Sequence, residues 1–193
     1  MGGMSIIASN ILRGRGESQA SCKARPTFAN VGLFQPIRHR MTHANTAPPA
    51  EVAWLGYGGL IPFVALAGLA PVDPQHAAAW SRALAAYGAV ILSFVGALHW
   101  GIAMSAAHLG AALRRRAFIW SVVPALMAWP AAMQAGPLTL LVLVAGFVLH
   151  LWQDRRLLVQ AQLPGWYWPL RCRLTAVACL CLGLNAWWLA SHP

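Results

Sequence analysis

The sequence predicts an all-α fold, a polytopic membrane helical bundle with five transmembrane helices. Three observations lead there. Of the 193 residues, 59% are hydrophobic and only 9% charged; a soluble domain carries about 25% charged residues to cover its surface. The apolar residues fall in runs long enough to cross the ~30 Å hydrocarbon layer of a bilayer. The fourteen Lys and Arg sit in three clusters separated by those runs, not on one face. The formal net charge of +10 therefore reads as membrane topology and not as a nucleic-acid surface. The lipid bilayer is the expected partner, with other membrane proteins as further partners and no nucleic acid.

Residues 1–48 form a basic N-terminal extension. Arg13, Arg15, Lys23, Arg25, Arg38 and Arg40 face a single acid, Glu17, and no long apolar run intervenes. Such a segment is expected to be disordered. Its Arg-rich, acid-poor profile fits an organellar transit peptide. It equally fits a mis-called start codon with Met41 as the true start, which thirteen arginines to one lysine, as in a GC-rich gene, favour.

The membrane domain, 49–193, follows. Span one is 52–70, with Gly58, Gly59 and Pro62 predicting a kink. Asp73-Pro74 reads as an N-cap followed by proline at the first helical position, so the next helix begins before its span at 83–109. Span three is 117–135, containing Pro124 and Pro130, and Gly136-Pro137 turns the chain into span four, 137–152. At sixteen residues that span reaches about 24 Å, slightly short of the bilayer core. The longest loop, 153–173, holds four arginines and Trp166-Tyr167-Trp168, a composition suited to lying flat at the headgroups. Span five is 174–190.

Five spans put the termini on opposite sides. Thirteen basic residues then fall on the side of the N-terminus and the 110–116 and 153–173 loops, against Arg82 alone on the other. The positive-inside rule gives N-terminus inside and C-terminus outside.

The candidate polar and packing positions are few. His99 is placed near mid-membrane in span two, where ionisable groups are costly and often functional. With no second intramembrane charge in view, a neutral histidine bonded to a neighbouring helix is the favoured reading and a proton relay the alternative. Haem between His99 and His150 is disfavoured, because a span ending at Trp152 sets His150 about 10 Å shallower than His99. Tyr87, Ser93 and Asn185 read as groups that bond between helices. Asp154 is expected to pair at the surface with Arg171 or Arg173. Ala89, Ser93, Ala97, Gly101 and Ser105 form a ladder of small residues four apart, expected to be a flat packing stripe inside the bundle, with a dimer face as the alternative. Cys179 and Cys181 lie about 200° apart on a helix and so share neither a disulfide nor a metal. No metal site, no cofactor and no catalytic motif of the HExxH or GxSxG kind is found, so no enzyme is expected.

Taken together, GLIPF (59–63), YGAVILSFVGALHWG (87–101), SVVPALMAW (121–129), Asp154 and WYWPLRCRLT (166–175) resemble the domain of unknown function 3429 family, which includes the transmembrane protein 69 family. The resemblance covers about residues 50–190. It implies a multi-pass membrane protein, in the inner (plasma) membrane for bacterial members and the mitochondrial inner membrane for eukaryotic ones. It implies no catalytic residue; His99, Trp100 and Arg171 are family-motif positions. The resulting expectation is a structural or assembly-type membrane component, with a small-solute or proton transporter using His99 as the alternative.

Overall fold

The computed structural model describes residues 47–134 and 136–192. The basic extension through residue 46, with the Met41 start, lies outside them. Among the described residues every regular element is helical. The order is α1 (Ala50–Gly58), α2 (Ile61–Val72), a single 3₁₀ turn (Pro74–His76), α3 (Ala77–Ser105), α4 (Ala111–Ala132), α5 (Pro137–Ala161) and α6 (Tyr167–Ser191). By length and composition four segments can cross a membrane: Ala50–Val72, Pro74–Ser105, Pro137–Ala161 and Tyr167–Ser191. α4 is the exception. Its first turns hold Arg114, Arg115 and Arg116, and the apolar stretch that remains, 117–132, spans about 24 Å.

α1 and α2 form one apolar rod broken at Gly59-Leu60, where Pro62 enters the second half. A break inside lipid strands backbone carbonyls, which need a partner. Tyr87 on α3 supplies one, its hydroxyl donating to the Gly59 carbonyl at 2.8 Å. At the other end of α2 the Asp73 side chain makes no capping bond. It accepts instead from His76 Nδ1 at 2.9 Å and from Trp80 Nε1 at 3.2 Å. Partial desolvation alone would raise the Asp73 carboxyl. The bonds from Trp80 and His76, with the charge of His76, outweigh it and hold the carboxyl below its ordinary 3.8.

α3 is the axis of the bundle and touches α2, α4, α5 and α6. Its buried face runs through Ser81, Leu84, Gly88, Leu92, Gly96, His99 and Ala103, a spacing of three and four that follows the helical period. The four-residue ladder is not that face. Ala89 is buried, but Ala97, Gly101 and Ser105 are exposed. A repeat of four overshoots the 3.6-residue turn by about 40° per step, so the ladder winds from the core toward lipid. The close approach occurs at Gly96, where a Cβ would lie 2.9 Å from the Ser121 carbonyl oxygen and 3.0 Å from Cγ of Pro124. Nothing lies within 4 Å of a Cβ at Gly101.

The turn from α3 to α4 is fastened by Arg114, whose Nη2 donates to the carbonyls of Ala106 and Ala107 at 3.2 and 3.1 Å. Gly136, at φ 120°, makes the turn into α5. α5 then corrects the expected boundary. It does not stop at Trp152 but runs to Ala161, where Gln162 in the left-handed conformation ends it. His150, Asp154, Leu157 and Ala161 are all buried; they continue the inward face past the point where Gln153–Arg156 looked like a loop. The surface-lying loop of 153–173 is therefore replaced by a link from Gln162 to Trp166, and α6 begins at Tyr167.

Two apolar cores result. The larger gathers Phe63, Leu84, Leu92, Leu143, Phe147 and Leu182; the smaller gathers Ala103, Leu109, Ala117, Leu157 and Ala161 near the arginine-bearing end. Large apolar side chains such as Trp54, Ile61, Phe94, Leu126 and Leu180 point outward, which suits a surface solvated by lipid.

Candidate functional site

Between the two apolar cores lies a layer of charge. Asp154 of α5 is 2% exposed, His99 of α3 1%, His150 of α5 0% and Arg171 of α6 6%. The corrected length of α5 brings them to one level. His99 lies six residues from the end of α3 and Asp154 seven from the end of α5, each about 10 Å from the arginine-rich end by helix rise. The group is thus shallower than the mid-membrane position expected of His99. His150 is not displaced from it: the two imidazole centroids are 4.7 Å apart. His150 and Asp154 stand one turn apart on α5 and face the same way.

Asp154 is the hub. His99 Nε2 donates to its Oδ1 at 2.7 Å, and Arg171 Nε donates to its Oδ2 at 2.8 Å. His150 Nε2 lies 3.5 Å from Oδ1, too far for a good hydrogen bond but close enough for its dipole to favour the carboxylate. The pairing of Asp154 with Arg171 is present, but it is buried and not at the surface. Asp154 is thus a second ionisable group in contact with His99 inside the bundle.

Trp120 of α4 sets the chemistry of His150. Its indole Nε1 donates to His150 Nδ1 at 3.1 Å. An indole nitrogen can only donate, so Nδ1 is the acceptor and the proton of the neutral ring sits on Nε2, facing Asp154. Three N–H groups then converge on one carboxylate. With both imidazoles neutral, the Asp154–Arg171 pair leaves the layer without net charge, the condition under which a buried ion pair is tolerable.

His99, His150 and Asp154 also have donor atoms within 4.8 Å of one another, the reach of a metal ion. The donor chemistry opposes that use. A metal on His150 Nε2 would require a proton on Nδ1, directed at the donor of Trp120. It would also set a cation beside the Arg171 guanidinium. Haem is excluded by contact between the rings and not by a difference in depth. The two rings are in contact, and no macrocycle fits between them.

The other sequence-predicted positions stand apart from this layer. Trp100 is exposed and meets Phe118 edge-on at 4.8 Å. Tyr87 serves the helix break. Asn185 accepts from Ser81 at 2.7 Å near the opposite end of the bundle. Ser93 bonds back to the Ala89 carbonyl at 2.8 Å. His150, Trp120, Tyr167 and Thr175 were missed as site residues. The i, i+4 pairing of His150 with Asp154 was the available signal, hidden by ending the span at Trp152.

Comparison with known proteins places the chain in context. Residues 48–187 match the family model described as Protein of unknown function (DUF3429). The chain is 37% identical over 134 residues to Transmembrane protein 69 of Xenopus tropicalis, an alignment covering 67% of this chain and 51% of that protein. The chain thus spans about half the length of the curated relative it matches. No solved structure matches it.

Proposed function

The chain belongs to the DUF3429 family, and on that premise we propose that it is a multi-pass membrane protein that carries protons, alone or coupled to a small solute. The observation that supports this reading is the buried Asp154 with His99 hydrogen-bonded to it at 2.7 Å. A proton taken up at His99 Nδ1 makes an imidazolium beside the carboxylate, and the Nε2 proton can then pass to Asp154, which returns His99 to neutral and leaves the added charge on Arg171. Asp154 is the site a proton occupies, His99 the group that delivers or removes it. Arg171 stabilises the ionised carboxylate, and Trp120 holds the proton of His150 on the atom facing Asp154.

In this reading all five helical rods cross the membrane. Arg114, Arg115, Arg116, Arg155, Arg156 and Arg173 keep their end cytosolic, so the N-terminus is inside and the C-terminus outside. The membrane is the inner membrane of a bacterium or, in the alternative, of a mitochondrion. No catalytic step is required.

The purified protein in pyranine-loaded liposomes, driven by a valinomycin-set potassium potential, provides the test. Wild type should acidify the lumen well above empty liposomes, and His99→Gln should reduce the rate at least tenfold. A rate equal to that of empty liposomes, or one unchanged by His99→Gln, would refute the proposal.

One observation favours a second reading, that of an assembly component. The α1–α2 rod is strongly apolar, yet only Phe63 and Ala70 of its residues are buried among the described residues, which leaves an apolar face able to pack on another membrane protein. Recovery of a stoichiometric partner in mild detergent, lost on Trp54→Ala/Leu55→Ala, would support this reading over the first.

A further inference from the structure

The charged layer leaves polar atoms without protein partners. His99 Nδ1, Arg171 Nη2 and Thr175 Oγ1 are buried and unbonded among the described residues; Tyr167 Oη is buried too, within reach of Asp154 and Arg171 but in no well-formed hydrogen bond. Three of them belong to one face of α6: Tyr167, Arg171 and Thr175 stand at i, i+4 and i+8, one above the other. Buried polar atoms are paired as a rule. Polar atoms left open on the groups that hold Asp154, with Thr175 one turn further along α6, therefore point to a small occupant able both to donate and to accept. His99 Nδ1 accepts, Arg171 Nη2 donates, and the two hydroxyls do either. Water has that character. An anion would lie against Asp154.

The stripe also has a direction. Tyr167 is the first residue of α6, at the arginine-rich end. Thr175 lies about 12 Å deeper by helix rise. Beyond it the same face becomes Ala178 and Leu182. There Leu182, Leu143 and Phe63 close around Gly88, all within 4 Å of where its Cβ would be.

We infer that the Tyr167–Arg171–Thr175 face of α6 lines a hydrated path from the arginine-rich end to Asp154, closed beyond Thr175 by Leu182, Leu143 and Phe63. The inference rests on the proton-carrying reading for its purpose, but not for its geometry. Asp154 is faced by His99 from α3, by His150 from its own helix, and by Arg171 and Tyr167 from α6; α4 contributes Trp120, which reaches only His150. Of these groups, Tyr167 stands nearest the arginine-rich end, which makes the α6 stripe the route by which a proton enters.

Thiol accessibility tests this. Single cysteines are placed in a chain whose Cys22, Cys172, Cys179 and Cys181 are changed to serine, in sealed vesicles of both orientations, with a membrane-impermeant methanethiosulfonate. Arg116→Cys marks the arginine-rich side. Thr175→Cys should react from that side at least tenfold faster than Leu182→Cys. Reaction from the opposite side only, or no faster than Leu182→Cys, would overturn the inference. Hydroxyl-radical oxidation of the unaltered protein gives a second measure that needs no variant. His99 should be oxidised more than the equally buried Phe63, and equal protection of both would count against the path. Accessibility and transport fail separately. A reactive Thr175→Cys in a protein without proton flux keeps the path and removes the carrier; flux with an inert Thr175→Cys does the reverse.

Discussion

Removing one partner of the Asp154–Arg171 pair should destabilise the bundle far more than removing both. The two groups meet at 2.8 Å and are nearly withdrawn from solvent. With charge centres about 4 Å apart, their attraction is about 4 kcal/mol at an effective dielectric of 20. Asp154→Asn leaves Arg171 as an uncompensated buried cation, and the expected loss is about 3–5 kcal/mol. Arg171→Met leaves the carboxylate with only imidazole donors and should cost about as much. The double variant removes both charges, so its loss should fall below that of either single variant and far short of their sum. Equilibrium unfolding in detergent micelles, followed by tryptophan fluorescence, measures the three differences. Two single variants each within 0–1 kcal/mol of wild type, the range of an exposed pair, would refute the reasoning.

Other expectations follow from particular contacts. Gly96→Val should force α4 away from α3 and cost about 1–3 kcal/mol, whereas Gly101→Val, with nothing near its Cβ, should leave the melting temperature unchanged; equal effects would contradict the assigned packing face. Trp120→Phe removes the donor to His150 Nδ1, so a buried acceptor goes unpaired at about 1–3 kcal/mol, and the same unfolding assay reads it. The Asp73 carboxyl is held below 3.8. A depressed carboxyl stabilises the fold above the unfolded value and loses that contribution as pH falls through the folded value. The Trp80 indole N–H resonance should therefore shift as pH drops below about 4 and should lose that titration in Asp73→Asn; a titration unaffected by the substitution would contradict the bond.

Much of the architecture was legible because lipid imposes it. Long apolar runs, glycines and prolines at 58–62, and the turn at Gly136-Pro137 announce helices and their interruptions with little dependence on tertiary contacts. The site was less legible, and one boundary explains most of the difference. Gln153, Asp154, Arg155 and Arg156 are polar in sequence, yet on a helix only Asp154 points inward, while Arg155 and Arg156 face out. Treating the four as loop ended span four at Trp152, put His150 at the wrong depth and left Asp154 at the surface. His99 then seemed to lack a charged partner. The small-residue ladder failed through drift: a period of four is close enough to 3.6 to suggest a stripe and far enough to leave it within five steps. Trp120 gave no signal at all, since its part depends on which ring nitrogen of His150 it meets.

Inside the bundle His99 hydrogen-bonds the Asp154 carboxylate, and His150 turns its Nε2 toward the same oxygen. Solid-state ¹⁵N NMR of histidine-labelled protein in bilayers tests this arrangement most directly, with resonances assigned by His99→Gln and His150→Gln. The predicted spectrum has both rings protonated on Nε2, a through-space correlation between them, and displacement of both signals in Asp154→Asn. Two uncorrelated histidines whose signals ignore Asp154→Asn would contradict it.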